Sequence, residues 1–142
     1  MTQGLYGEFH HTMDPKGRVS LPSNFRKVLP ERLVLVPGPQ GQVNVFSEED
    51  FANWKSKFME EQGGYTVSGG EHDTAKLRLF LNAWAQAVDV DSAGRVNVPK
   101  KLRDRAGLHK EGVVVGDEDH ACLWDSARWE EYMGSFDFSD IF

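Results

Sequence analysis

Residues 90–103, Val90-Asp91-Ser92-Ala93-Gly94-Arg95-Val96-Asn97-Val98-Pro99-Lys100-Lys101-Leu102-Arg103, repeat residues 13–26, Met13-Asp14-Pro15-Lys16-Gly17-Arg18-Val19-Ser20-Leu21-Pro22-Ser23-Asn24-Phe25-Arg26. The offset from Asp14 to Asp91 is 77. At that offset Asp, Gly, Arg, Val, Pro and a second Arg are identical, while Met/Val, Leu/Val and Phe/Leu exchange one apolar residue for another. Six identities in register outweigh chance, so whatever the first passage folds into, the second must fold into as well.

Each copy specifies the same piece of chain. Asp14-Pro15-Lys16-Gly17 carries Asp, Pro and Gly where a type I turn favours them, and Asp91-Ser92-Ala93-Gly94 keeps the two ends, so a tight turn opens each copy. Val19 and Leu21, like Val96 and Val98, then alternate with polar residues; in a strand the apolar pair faces one way and Arg18 and Ser20, or Arg95 and Asn97, face the other. Pro22 and Pro99 stand where a strand gives way to a helix, because proline is tolerated in a first helical turn.

A chain of 142 residues suits a single domain, yet two halves of about 70 residues each bury too little surface to be more than marginal alone. Pairing of the halves is the expected remedy. The apolar fraction of 39% and charged fraction of 27% are those of a soluble globular protein, and the apolar runs are too short to span a bilayer. Met1-Thr2-Gln3-Gly4 leads into no apolar signal region, and the single cysteine, Cys122, precludes an internal disulfide framework and suits a reducing cytoplasm. Cys122 itself reads as a small buried residue. A net charge of −6 argues against nucleic acid until its distribution is considered. Residues 14–32 and 91–110 hold 11 of the 16 Lys and Arg but only four of the 22 acids, so the repeat is the basic part of an acidic chain.

In chain order, Leu5 to His10 reads as a strand that forms a hairpin through the Asp14 turn with Arg18–Leu21 as its return, followed by a short helix from Ser23 to Leu29 that Pro30 stops. Two strands, 33–36 and 42–46, flank the turn-rich Pro37–Gly41 loop. Ser47 then caps a helix with Phe51, Trp54 and Phe58 on one face. Residues 60–72 shift to Gly-Gly-Tyr and Ser-Gly-Gly, a flexible connector between a first half, 1–59, and a second, 73–142. Asp73 or Thr74 caps a helix bearing Leu77, Phe80, Leu81 and Trp84, and a strand at 87–90 enters the second turn. The second motif helix runs from Pro99 to about Ala106, with Gly107 as its C-terminal cap. A strand pair, 112–116 and 120–124, brackets Asp117-Glu118-Asp119, and Asp125 caps a last helix with Trp129 and Tyr132. Asp125 stands to Ser47 at an offset of 78, so the repeat spans whole halves with one inserted residue.

Arg18 and Arg95 admit two readings. A guanidinium can meet guanine or phosphate bidentately, or each arginine can pair with its own Asp14 or Asp91 and brace the turn. Asn97, on the strand face of Arg95, could read adenine or be merely solvated. Lys100, Lys101, Arg103 and Arg105 could grip phosphates or form a solvated helix face; their clustering beside both motifs favours the grip. His10-His11 are strand neighbours that point to opposite faces and do not share an ion, and Asp117-Glu118-Asp119-His120 lacks the ligand count of a calcium loop and reads as an acidic hairpin tip. The chain has no Gly-rich phosphate loop, nucleophile elbow or zinc-protease helix motif, so neither an enzyme nor a cofactor or metal is expected. Trp54, Trp84, Trp124 and Trp129 fall at packing positions rather than as base-stacking platforms.

With its tandem Asp-x-x-x-Arg turns, Gly before Arg and Pro four after it, the segment Arg78–Ala83 and the Trp124–Trp129 ending, the chain resembles the MraZ family of bacterial transcriptional regulators over nearly its whole length. The resemblance implies an α+β, mainly β fold: two tandem SpoVT/AbrB-like swapped-hairpin units paired as a pseudo-dimeric double-split barrel with peripheral helices. It also implies cytoplasmic, nucleoid-associated binding to direct repeats of double-stranded DNA in the promoter of the division and cell-wall gene cluster, by a ring-shaped homo-oligomer, an octamer or dodecamer. The family's motif residues carry over as Asp14, Arg18, Asp91 and Arg95. The expected DNA-binding set is these four with Lys16, Arg26, Asn97, Lys100, Lys101 and Arg103. The alternative from another class is a non-enzymatic ring-forming scaffold whose basic patches bind acidic protein partners.

Overall fold

The apolar runs at 33–36 and 113–115 show no polar alternation because both of their faces are covered. Leu33 and Leu35 enter one core and Val34 and Val36 another. In the second half Val114 enters the first core, while Val113 and Val115 belong to a third cluster. The structure, a computed structural model, describes residues 4–62 and 74–142. Its strands are β1 (Glu8–Thr12), β2 (Arg18–Ser20), β3 (Arg32–Pro37), β4 (Val43–Phe46), β5 (Gln86–Asp89), β6 (Arg95–Asn97), β7 (Glu111–Gly116) and β8 (Ala121–Asp125). The helices are α1 (Ser23–Arg26), α2 (Glu48–Glu61), α3 (Thr74–Trp84), α4 (Lys100–Ala106) and α5 (Ser126–Gly134), with a 3-10 turn at Phe138–Asp140.

The fold is α+β. Six strands form one open antiparallel sheet in the order β1-β7-β8-β4-β3-β5, and β2 pairs with β6 as a separate ribbon. Exchanging the halves, β1 for β5, β3 for β7 and β4 for β8, reverses that order and reproduces it, so the sheet carries an internal two-fold. The halves also exchange strands: β1 lies on β7 of the second half and β5 on β3 of the first. This corrects the expected local hairpin. Asp14 does close a turn, with its N–H donating to the Arg18 carbonyl at 3.1 Å, but β1 and β2 then diverge to partners in the other half. The turn residues specify the reversal and leave the ladder partner to long-range packing.

One face of the sheet is covered by the β2–β6 ribbon with α1 and α4. There Val19, Leu21, Phe25, Val96, Val98 and Leu102 meet Leu35, Val45, Val114 and Leu123 in the main core. Phe25 is fully buried and lies edge-on to Phe9 at 5.3 Å, so emptying its site would cost on the order of 3–5 kcal/mol. The other face carries two lateral clusters: α2 and α3 cover Val34, Val36 and Phe46, while Trp129 packs on Val113, Cys122 and Trp124. The expected caps are in place, Ser47 Oγ accepting from the Asp50 N–H at 3.1 Å and Asp125 Oδ2 from the Arg128 N–H at 3.2 Å. Gly107 ends α4 in the left-handed region at φ 62.

Several boundaries differ from expectation: β1 runs over Glu8–Thr12 rather than Leu5–His10, with Leu5 in an isolated bridge to Glu118, and the other strands shift by a residue at one or both ends. α1 is only four residues long, although the Val28 and Leu29 N–H groups still donate to the Phe25 carbonyl. α2 continues through Glu60 and Glu61 with Gln62 as its C-cap, and residues 63–72 of the expected connector, with Asp73, lie outside the described residues. No helix among the described residues is long and apolar enough to cross a membrane.

Candidate nucleic-acid interface

The ribbon places the repeated motifs side by side. In its register Arg18 opposes Asn97, Val19 opposes Val96 and Ser20 opposes Arg95. Because Val19 and Val96 point fully into the core, strand alternation puts Arg18, Ser20, Arg95 and Asn97 together on the outer face. Ser20, the counterpart of Asn97 in the first copy, was absent from the expected site; the repeat itself was the signal for it.

Each arginine is held by its own aspartate. Asp14 Oδ1 accepts from the backbone N–H groups of Lys16 at 3.0 Å and Arg18 at 2.8 Å, and Oδ2 accepts from Arg18 Nε at 2.6 Å. Asp91 repeats this with Ala93 and Arg95, both at 2.9 Å, and with Arg95 Nε at 3.0 Å. In both copies the backbone N–H of the arginine is the largest influence holding the carboxyl below the ordinary range, with partial desolvation opposing and the guanidinium adding to it. The brace uses Nε alone. The terminal amines, which carry four of the five guanidinium donors, are the part available for bidentate recognition. The two readings of Arg18 and Arg95 are therefore compatible, since the aspartate fixes the direction in which the guanidinium projects.

The other two motif arginines cross between halves. Arg103 Nε donates to the Val98 carbonyl at 2.9 Å, and its side chain lies over Gly17, so a Cβ on that glycine would come within 2.7 Å of it. Arg26 lies over Gly94 in the same way. Each turn thus presents its own arginine beside one from the other half's helix. Gly17 and Gly94 are favoured by φ values of 84° and 77°, and a Cβ at either would also have to displace the arginine side chain lying over it. Lys16 is exposed at its turn.

The cations of α4 are more engaged than a solvated helix face would be. Lys100 pairs with Asp104 at 2.6 Å on the exposed side. Lys101 Nζ sits 4.1 Å above the Trp84 ring, and Arg105 lies over Phe80 and Trp84. Trp54 stacks on Phe58, and Trp129 Nε1 donates to Glu8 Oε1 at 2.8 Å, consistent with packing roles.

A family model described as MraZ protein matches residues 5–63 and 80–140. Among curated relatives, the transcriptional regulator MraZ of Pediococcus pentosaceus is 38% identical over 137 residues, covering 95% of this chain and 92% of its own. That of Acetivibrio thermocellus is 34% identical over 135 residues, covering 95% and 90%. The protein of the same name from Mycoplasmoides gallisepticum is 32% identical over 126 residues, covering 89% and 84%.

Proposed function

The chain belongs to the MraZ family, and on that premise we propose that it is a non-enzymatic transcriptional regulator whose β2–β6 ribbon is the DNA-reading surface. The observation that carries the reading is the pair of aspartate-braced arginines, Arg18 and Arg95, brought onto one outward face by the ribbon register. Arg18 and Arg95 read base edges, Asn97 assists, and Lys16, Arg26, Lys100, Lys101 and Arg103 meet phosphates, while Asp14 and Asp91 orient the readers. The family relationship supports promoter direct repeats of the division and cell-wall gene cluster as the target, a cytoplasmic, nucleoid-associated location and a ring of eight or twelve copies. It also supports reading the exchanged strands as tandem swapped-hairpin halves, 1–59 and 73–142, of a double-split barrel, joined by the 60–72 connector. Repetition of the motif around a ring converts weak contacts into strong binding to repeated sites and offsets the net charge of −6.

The test is footprinting on the promoter repeats with wild type, Arg18→Ala and Arg95→Ala at matched oligomer mass. Each substitution is expected to weaken the specific site by about 1–3 kcal/mol per engaged contact and relax base preference, whereas Lys100→Ala weakens all sequences alike. Unchanged footprints from both arginine variants would reduce the motif to a structural turn. Salt separates this reading from a protein scaffold: specific DNA binding falls with log salt at a slope of about −0.9 per phosphate neutralised, and a scaffold need have no DNA affinity.

A further inference from the structure

The tip between β7 and β8, Asp117-Glu118-Asp119, lacks the ligands of a calcium loop and reads in sequence as an acidic turn. The fold adds Cys122, two residues further on and on the same strand face as His120. Among the described residues, Asp117, His120 and Cys122 bring a carboxylate oxygen, an imidazole nitrogen and a sulfur to within 4.8 Å of one another. We propose that this trio is a binding site for a thiophilic divalent cation of the Zn2+ class, with Cys122 Sγ, His120 Nε2 and Asp117 as ligands and water in the fourth position.

The histidine is presented as a ligand. His120 is 5% exposed; its Nδ1–H donates to Asp119 Oδ1 at 2.7 Å, and its ring stacks on Phe46 at 4.5 Å. A carboxylate on the far nitrogen is the arrangement that fixes the tautomer and aims the other nitrogen of a metal-binding histidine. Nε2 faces Asp117 Oδ2 at 3.6 Å, longer than a hydrogen bond. Ligand bonds of about 2.0–2.1 Å to N and O and about 2.3 Å to S put neighbouring donors of a tetrahedral zinc roughly 3.3–3.6 Å apart.

Backbone hydrogen bonds fix the frame of the tip. Leu5 N–H donates to the Glu118 carbonyl at 2.7 Å, Glu118 N–H returns to the Leu5 carbonyl at 2.9 Å, and Asp117 N–H donates to the His120 carbonyl at 2.8 Å. Asp117 is exposed and gives access, while Cys122 and His120 form the buried floor. The Cys122 thiol donates to Asn44 Oδ1 at 3.3 Å. On binding a cation, the thiol would release its proton to solvent and the sulfur would bond the metal. The site lies on the sheet face opposite the ribbon, so it stands independently of the DNA reading.

Reduced, chelator-stripped full-length protein titrated with Co2+ tests the site. One equivalent per chain is expected to produce a sulfur-to-cobalt charge-transfer band with the strong visible bands of tetrahedral cobalt, and added Zn2+ should abolish both. His120→Gln should lose more than about tenfold in Zn2+ affinity, and Asp119→Asn, which removes only the orienting carboxylate, about 10–100-fold. Because these residues also serve packing, circular dichroism accompanies each variant, and Asp117→Asn at the exposed tip supplies a ligand loss that leaves the fold intact. Absence of the band in wild type, or affinity unchanged in both His120→Gln and Asp117→Asn, would overturn the site.

Discussion

Asp14 and Asp91 use both carboxylate oxygens within their own turns, and that local closure depends on the glycine beside each arginine. Gly17 holds φ 84° with Arg103 stacked across it, so Gly17→Ala must adopt a left-handed backbone and push the guanidinium aside. Urea denaturation should show a loss of about 1–2 kcal/mol from the backbone conformation alone, with a further loss where Arg103 cannot move. An unchanged midpoint would contradict the role given to this glycine. Burial also shapes His11, whose two ring nitrogens are buried without hydrogen-bond partners among the described residues and whose pKa is lowered mainly by desolvation, with Glu111 opposing. Its folded pKa lies below its unfolded value, so the unfolded chain binds the proton more readily. Stability is therefore retained above the ordinary value of 6.5 and lost as pH falls below it. Melting at about pH 7.5 and about pH 5.5 should show a smaller acid-induced drop in His11→Phe than in wild type. An equal drop would assign the acid sensitivity to other groups.

Among the elements, those whose signals are local were legible in the sequence. Ser47 and Asp125 cap the helices they were expected to cap, and Gly107 ends α4, because each needs only the backbone of the next turn. Ser47→Ala should cost about 1 kcal/mol and lower the melting temperature without altering the ribbon. A neutral result in thermal melts would mean that α2 is held by Phe51 and Trp54 alone. Strand partners were less legible. The alternation at Arg18–Leu21 predicted a strand and its outward face, yet not that β2 would leave β1 for β6, since a turn specifies reversal and says little about which edge is free. At the candidate interface the same limit applies: Arg18 and Arg95 stood out through the repeat, but Arg26 over Gly94 and Arg103 over Gly17 arise only from the crossing of the halves. Cys122 joined Asp117 and His120 for a similar reason, through alternation along β8 and a tip pinned by Leu5.

At the scale of the molecule, strand exchange makes each half incomplete. Residues 1–62 alone leave β1 without β7 and β3 without β5, and residues 74–142 leave the complementary gaps. Expressed separately, each half should be unfolded or should dimerise with itself to regain the missing strands, and mixing the two should restore a one-to-one complex, as read by circular dichroism and light scattering. A folded, monomeric half would refute the interdependence.

The internal two-fold that relates the halves is imperfect in its side chains. Ser20 stands where the other copy has Asn97, and the pairs Pro15-Lys16 and Ser92-Ala93 differ. Two separate identical subunits would present a surface unchanged by a half-turn, suited to a palindrome and blind to the direction in which a duplex runs. Fusion into one chain lets the copies diverge, so the ribbon has a head and a tail. Docked on the proposed duplex it acquires polarity, and successive copies laid down head to tail would all face the same way along it.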